Sequence, residues 1–411
     1  MLYISLIRSL NTLTAAILII WTFVGVDALR GDTSSPQKQL KTYALPVGTQ
    51  SADISPDEQT VVTVLTKKLD PPNVKDKTNM RLVQLWDFKE GEVLAQFVAR
   101  QPEQSIAPKG ISVARGNNTP IVRFSPDGTQ VVALLDRMIH ILRASDLAEV
   151  RAFALMPPSN TPDGPTIVRE PSLRAMELSP SGGIAAVLWF TYECHGRIQL
   201  YDILSGNRLL SWDTPMGWTN FQGRGIVWNP NGKLLLVAIP NFLGCGSPSG
   251  GPDIFAFDVR TGAIKRKITS GLLIGNIAIT SDNRVLAVDS DSYGVFSNHH
   301  PKLKFFDFTT GKHLHSVSAR PTGVRYMVSA SPDGHRFIAF TGKMSYDFDW
   351  SDGVSYDKVV DETFSVWSLT NYEGILTSQN IPGLKGSELK LSSKGNYAFS
   401  YGKASFVYEL P

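Results

Sequence analysis

The chain has 411 residues, more than one typical domain needs, with a formal charge of only +3 and both signs scattered along it. Nucleic-acid binding requires a concentrated basic face; the sequence has no such block, so no nucleic-acid partner is expected. Its 34 glycines and 25 prolines fall in short turn-like groups between runs of Val, Ile, Phe and Tyr, which favours a strand-rich fold over a helical one.

The N-terminus reads first as a targeting segment. Residues 1–11 carry one basic residue, Arg8, and no acid; an apolar run follows over residues 13–26, and Val26-Asp27-Ala28 offers the small residues a signal peptidase reads. This pattern predicts a signal peptide over residues 1–28, cleaved after Ala28, and hence an exported, periplasmic or extracellular protein. The competing expectation is an uncleaved membrane anchor, although the apolar run falls short of the ~20 residues of a span. Without a Cys after it, a lipoprotein anchor is excluded. Residues 29–39 read as a polar linker, and the folded domain is expected over 40–411.

Seven similar turns then recur. Ser55-Pro56-Asp57-Glu58 is followed by Ser125-Pro126-Asp127-Gly128, Ser179-Pro180-Ser181-Gly182, Asn229-Pro230-Asn231-Gly232, Thr280-Ser281-Asp282-Asn283, Ser331-Pro332-Asp333-Gly334 and Ser392-Ser393-Lys394-Gly395. Their first residues are separated by 70, 54, 50, 51, 51 and 61 positions. Pro presets φ at the first corner, Asp or Asn bonds its own backbone, and Gly accepts positive φ. The residue before each turn is apolar, and so is the residue three places beyond its end, as two strands of a packed hairpin require. A third strand often ends in an aromatic and an acid: Trp86-Asp87, Tyr201-Asp202, Phe257-Asp258 and Phe306-Asp307, each with a Gly four places after the Asp. These acids read as turn caps rather than catalysts. A fourth strand follows. Four short strands with tight turns make up a propeller blade.

The Ser-Pro-Asp-Gly turns and the aromatic-Asp…Gly segments resemble those of the bacterial WD-repeat-like and YVTN-type propellers. The resemblance covers residues 40–411 and implies an all-β, seven-bladed β-propeller of four-stranded antiparallel blades. At the ends of the third strands only Trp86-Asp87 is a literal Trp-Asp pair, and the Gly-His dipeptide of regulatory WD repeats is absent ahead of the first strands. The last unit stops after three strands, while Lys41-Thr42-Tyr43-Ala44-Leu45 has no blade of its own. That stretch is expected to complete the last blade and so close the ring, removing exposed strand edges.

The long connections, second-to-third strand and blade-to-blade, share one face. Functional residues tend to lie on loops held by a rigid scaffold, so that face is the expected binding face. In it, the blade-six loop reads Tyr346-Asp347-Phe348-Asp349-Trp350, and Trp218 and Phe221 lie between blades three and four; together they suggest an acidic, aromatic contact patch. The alternating acids resemble a calcium loop, but Asp352 stands where that motif needs Gly and Lys358 replaces its closing Glu. Cys194 and Cys245 occupy equivalent loops of neighbouring blades and are expected to form a disulfide in an oxidising compartment, with free thiols the alternative. His195, His299 and His300 lie nearby, without the spacing of any short zinc motif. Arg174 and Arg224 share a register in the first strands, where they would either ring the channel mouth and attract an anion or form ordinary inter-blade ion pairs.

No Ser-His-Asp arrangement, phosphate-binding Gly loop or haem-attachment motif is present. The leading expectation is a monomeric, non-catalytic scaffold that binds a protein or extended polymer on its long-loop face, with neither metal nor cofactor. The alternative is a lactonase-like or quinoprotein-like enzyme acting at the channel mouth, for which Asp53, Glu177 and the arginines of the first strands form a poor cation-binding set.

Overall fold

The computed structural model describes residues 40–68, 79–100, 112–114, 118–157, 167–169, 171–190, 196–215, 226–239, 242–243, 247–248, 253–269, 274–282, 284–289, 302–318, 327–331, 335–349, 354–371, 374–379, 386–402 and 405–410. The first described strand is β1 (Thr42–Ala44). The first blade is β2 (Thr49–Ile54), β3 (Thr60–Lys68), β4 (Asn79–Asp87) and β5 (Glu92–Arg100), hydrogen-bonded in that order. After β6 (Ser112–Ala114), the second blade is β7 (Ile121–Phe124), β8 (Gln130–Leu135), β9 (Met138–Arg143) and β10 (Glu149–Ala154). Beyond β11 (Ile167–Arg169), the third is β12 (Ser172–Leu178), β13 (Ile184–Phe190), β14 (Gly196–Asp202) and β15 (Arg208–Asp213). The fourth comprises β16 (Ile226–Trp228) and β17 (Leu234–Ile239), a small hairpin of β18 (Phe242–Leu243) and β19 (Ser247–Pro248), then β20 (Asp253–Asp258) and β21 (Ile264–Thr269). The fifth is β22 (Ile274–Ile279), β23 (Arg284–Asp289), β24 (Lys302–Asp307) and β25 (His313–Ser318). The sixth is β26 (Met327–Ala330), β27 (Arg336–Asp349), β28 (Val354–Ser368) and β29 (Gly374–Gln379). The chain ends in β30 (Gly386–Leu391), β31 (Tyr397–Gly402) and β32 (Phe406–Glu409).

The expectation of seven blades is corrected to six blades and one composite closing sheet. Each of the six is drawn whole from one continuous run of chain, whereas the remaining four-stranded sheet has the order β1-β32-β31-β30 and mixes both chain ends. The physical reason is that β32 is the third strand of its sheet and, among the described residues, the last. Its free edge is taken by β1, antiparallel, with Thr42 opposite Tyr408 and Ala44 opposite Phe406. First strands touch in sequence, β2 to β7, β12, β16, β22, β26 and β30, and β31 returns to β2, so the sheets form a ring.

Sheets packed on both faces explain the sequence of the middle strands. β13 (IAAVLWF) is apolar throughout because each face meets a neighbouring sheet, while the outer strand β10 (EVRAFA) is exposed almost throughout. The core consequently lies between sheets: Val187 and Trp189 pack with Ile139 and Ile141 of the blade before, and Ile54 and Val61 pack with Phe399 and Val407 of the closing sheet.

Turns between first and second strands hold the inner register. Ser125 Oγ donates to Asp127 Oδ1 at 2.5 Å and accepts the Gln130 N–H at 2.9 Å, and Gly128 N–H closes the turn on Ser125 O. Successive turns also stack around the ring. A Cβ on Gly182 would stand 3.0 Å from Pro126 Cδ, and its φ of +76° disfavours any other residue; Gly128 meets Pro56 and Gly232 meets Pro180 in the same way. The aspartates of the outer turns cap as the sequence suggests: Asp258 Oδ1 accepts Arg260 N–H at 2.9 Å and Thr261 N–H at 3.2 Å.

The first turn breaks this pattern where the ring must close. Glu58 stands in the place of Gly with φ of +65°, a conformation that costs an L-residue energy, and it is buried. Its Oε1 accepts Ser392 Oγ at 2.5 Å and Lys394 N–H at 3.2 Å, and its Oε2 accepts Asn396 Nδ2 at 2.8 Å. A carboxylate latch thus replaces the proline-on-glycine contact between the last turn and the first. Glu58→Gly restores the common turn residue and relieves the strain, yet is expected to destabilise by about 2 kcal/mol, because three hydrogen bonds to a charged group are lost. Chemical denaturation of the two proteins measures the difference; a Glu58→Gly protein as stable as the parent contradicts the latch.

The capping carboxylates tie stability to pH. The Ser125 hydroxyl holds the Asp127 carboxyl below the ordinary carboxylate range, as the Ser55 hydroxyl does for Asp57. The Ser205 side chain does so for Asp202, and backbone N–H groups of Arg260 and Thr310 for Asp258 and Asp307. Depressed folded-state values mean that the unfolded chain protonates first as pH falls. Their contribution is therefore complete above about pH 5 and is lost as pH falls through 4 and below. The thermal midpoint is expected to hold level from pH 7 to 5 and then drop; a midpoint unchanged down to pH 3 counts against this role for the caps.

Candidate functional site

Antiparallel topology sorts the connections onto two ends. First-to-second and third-to-fourth connections, four or five residues each, occupy one end, here the tight-turn end. All other connections emerge at the opposite, loop end, and several carry structure of their own. β6 and β11 leave the connections before and after blade two and pair in parallel, Val113 opposite Val168. β18 and β19 form a small hairpin within blade four. The expected blade-six loop is corrected: β27 and β28 run on past the blade as a paired hairpin, from Lys343 opposite Val360 to Asp349 opposite Val354. That is seven further paired residues, roughly 23 Å of strand. One second-to-third connection departs from the trend, the two-residue turn Asp136-Arg137, with φ of +46° and +74°. Asp136 there holds Arg81 of blade one at 2.9 Å.

Down the axis, one residue from each first strand stands at the same register, two places before the tight turn: Asp53, Arg123, Glu177, Val227, Ala278, Ser329 and Lys390. A cavity of about 600 Å³, bordered at the tight-turn end by Pro56, Pro126, Pro180 and Pro230, is lined by six of them, all but Arg123. Charge is segregated in this belt: Lys390, Asp53, Arg123 and Glu177 form one arc, and Val227, Ala278 and Ser329 the other. The Arg123 side chain is only 4% exposed and reaches Glu177 at 2.9 Å, while Lys390 reaches the same carboxylate at 3.5 Å. Arg123 Nη1 also donates to Val122 O, and Asp53 Oδ2 accepts Phe124 N–H at 2.9 Å. The belt is an ionic tie across sheets, its carboxylates already engaged by protein groups.

The sequence-derived site residues fare unevenly. Tyr346, Asp347 and Asp349 lie on β27, opposite Asp357, Tyr356 and Val354, in a strand rather than a loop. Arg174 stacks its guanidinium 5.5 Å from the Phe190 ring of the adjoining strand. Trp218, Phe221, Trp350, Arg224, Cys194 and Cys245, with His195, His299 and His300, lie outside the described residues. Among the described residues no three His, Cys, Asp or Glu side chains gather as metal ligands would. Sequence reasoning named Asp53 and Glu177 but missed Arg123 and Lys390. Their signal was the same offset from the turn, legible once the turns are aligned.

The ring of four-stranded sheets makes this chain a β-propeller. Among solved structures, a chain of the mitotic checkpoint complex is similar over 91% of this chain and 91% of its own length, with a TM-score of 0.52 at 13% identity. Kuenenia stuttgartiensis hydrazine synthase is similar over 92% of this chain and 98% of its own, with a TM-score of 0.53 at 13% identity. At such identity the likeness shows the fold alone. No protein-family model matches the sequence, and no curated protein matches it.

Removing the Glu177 charge takes a carboxylate from a guanidinium only 4% exposed, whereas removing Lys390 takes away a partly exposed partner, 21% exposed in its side chain. Glu177→Gln is therefore expected to cost about 3–5 kcal/mol and Lys390→Met about 1 kcal/mol or less, as read by chemical denaturation. Equal losses contradict the assignment of Arg123 as the dependent partner.

Proposed function

We infer that this chain is an exported, non-catalytic propeller of the WD-repeat-like or YVTN-like kind, whose loop end docks a protein or extended polymer. The observation that carries the reading is the asymmetry between the ends. Among the described residues, only tight, self-bonded turns occupy one, while the parallel pair β6–β11, the hairpin β18–β19 and the long β27–β28 hairpin all rise from the other. Structured insertions held by a rigid ring offer preformed surface at a low ordering cost, which favours recognition of a partner. By sequence, Trp218 and Phe221 fall between β15 and β16 and Trp350 between β27 and β28; they are the aromatic anchors of this reading, with Arg174 and Arg224 as its cationic groups. Mutual engagement of the belt charges speaks for a tie rather than a reaction centre. The mitotic checkpoint complex, to which one of the similar chains belongs, is a protein assembly, in keeping with a docking role.

Replacing residues 342–362 by Asn-Gly turns the hairpin back where Thr341 and Thr363 pair, a two-residue connection suited to such strands. The trimmed protein is expected to keep its thermal midpoint and lose capture of partners crosslinked in the native envelope. Trp218→Ala with Phe221→Ala is expected to weaken the same capture. Capture undiminished in both variants contradicts docking at the loop end.

A further inference from the structure

The tight-turn end carries an exposed surface of its own, separate from the loop end. In every blade the fourth strand has one extra residue just after the turn that precedes it. Pairing skips Leu94 in β5, Val150 in β10, Leu209 in β15, Lys265 in β21, Leu314 in β25 and Ile375 in β29. Such bulges spoil an edge for further strand pairing. Here five of the six bulged residues are aliphatic, and all five are exposed, between 43% and 59%. An edge designed only for solvent would carry polar side chains there.

Charge divides this rim. Around blades one and two it carries Glu90, Glu92, Asp127, Asp146 and Glu149 beside Lys89 and Arg143, the last held by Asp146 at 2.9 Å. Around blades three to five, exposed Arg208, Lys233, Arg260, Lys265 and Lys312 stand among Leu204, Leu209, Ile264 and Leu314. Leu204 is 83% exposed at the tip of its turn. The acids of this arc are already engaged: Asp202, Asp258 and Asp307 cap their turns, and Asp282 pairs with Arg284 at 2.7 Å. Arg260 and Lys265 reach Asp258 only at 4.0 and 3.8 Å, and Arg208, Lys233 and Lys312 form no ion pair among the described residues.

The chain path points the same way. Lys41 O accepts Glu409 N–H beside Leu410, whose own N–H donates to Asn396 O in the last tight turn. Leu40 therefore enters at the tight-turn end.

We propose that the tight-turn rim of blades three to five rests on an anionic lipid surface, with Leu204, Leu209, Ile264 and Leu314 dipping into the headgroup boundary and Arg208, Lys233, Arg260, Lys265 and Lys312 meeting lipid phosphates. Aliphatic tips ringed by long cationic side chains fit that boundary, because the stems stay in apolar surroundings while the charges reach the headgroups. In this orientation the loop end faces away from the membrane.

The test uses the full chain with vesicles of phosphatidylcholine, alone or with added phosphatidylglycerol, read by co-sedimentation and by hydrogen exchange. Expected are binding to the anionic vesicles, exchange protection in the turns at 203–207, 259–263 and 308–312, and at least about a tenfold loss of affinity in an Arg260→Glu, Lys265→Glu, Lys312→Glu variant. A Leu204→Ser, Leu209→Ser, Ile264→Ser variant is expected to lose binding likewise, both variants keeping the parental thermal midpoint. The proposal is overturned by any of three results: anionic binding that neither variant reduces, which assigns it to residues 13–26; protection at the loop end; or protection of the same turns by self-association without lipid.

Discussion

Closure of the ring is the constraint on which the rest of the structure depends. Each sheet buries its faces only against its neighbours, so an open array would leave two apolar faces and an unpaired edge in water. Six interfaces between neighbouring sheets are made by consecutive segments, but the seventh must join residues more than 330 positions apart, as Glu58 and Ser392 are. Two devices do this: β1 fills the edge of β32, and Glu58 accepts three hydrogen bonds from the final turn. Around them pack Tyr43, Phe88 and Tyr397, edge-on at centroid distances of 5.3 Å. Among the first four turns proline against glycine suffices, because the covalent chain already brings neighbouring turns together.

From the ring follows the separation of roles between its ends. Tight turns cannot be lengthened without breaking the stack of Pro56 on Gly128, Pro126 on Gly182 and Pro180 on Gly232, so insertions accumulate at the other end. The belt residues at the axis then serve the ring, Arg123, Glu177 and Lys390 tying blade two, blade three and the closing sheet across the channel.

Much of this was legible in the sequence because turn chemistry is local. Ser125, Asp127 and Gly128 bond one another within a few residues, so their spacing reveals a unit whatever the fold around it. The aromatic-Asp…Gly segments are legible for the same reason, Asp87, Asp202, Asp258 and Asp307 each capping its own turn. What escaped were features set by distant partners. Glu58 reads as an ordinary variant of the turn until Ser392 and Asn396 stand beside it. The alternation in Tyr346-Asp347-Phe348-Asp349 reads as an acidic loop because its pairing partner, Val354 to Asp357, lies across a hairpin tip with Gly342 nearby to suggest a break. Strand formation there depends on cross-strand pairing rather than on intrinsic preference. Arg123 and Lys390 escaped for a related reason: an isolated cation in an apolar strand means little until the carboxylate facing it is known.

The most direct test of the account is removal of residues 40–46, which takes away β1 and leaves every blade intact. Loss of cooperative unfolding is expected, or dimerisation through the exposed edge of β32, observed by thermal denaturation together with sedimentation. A monomer that unfolds cooperatively at the parental midpoint would contradict it.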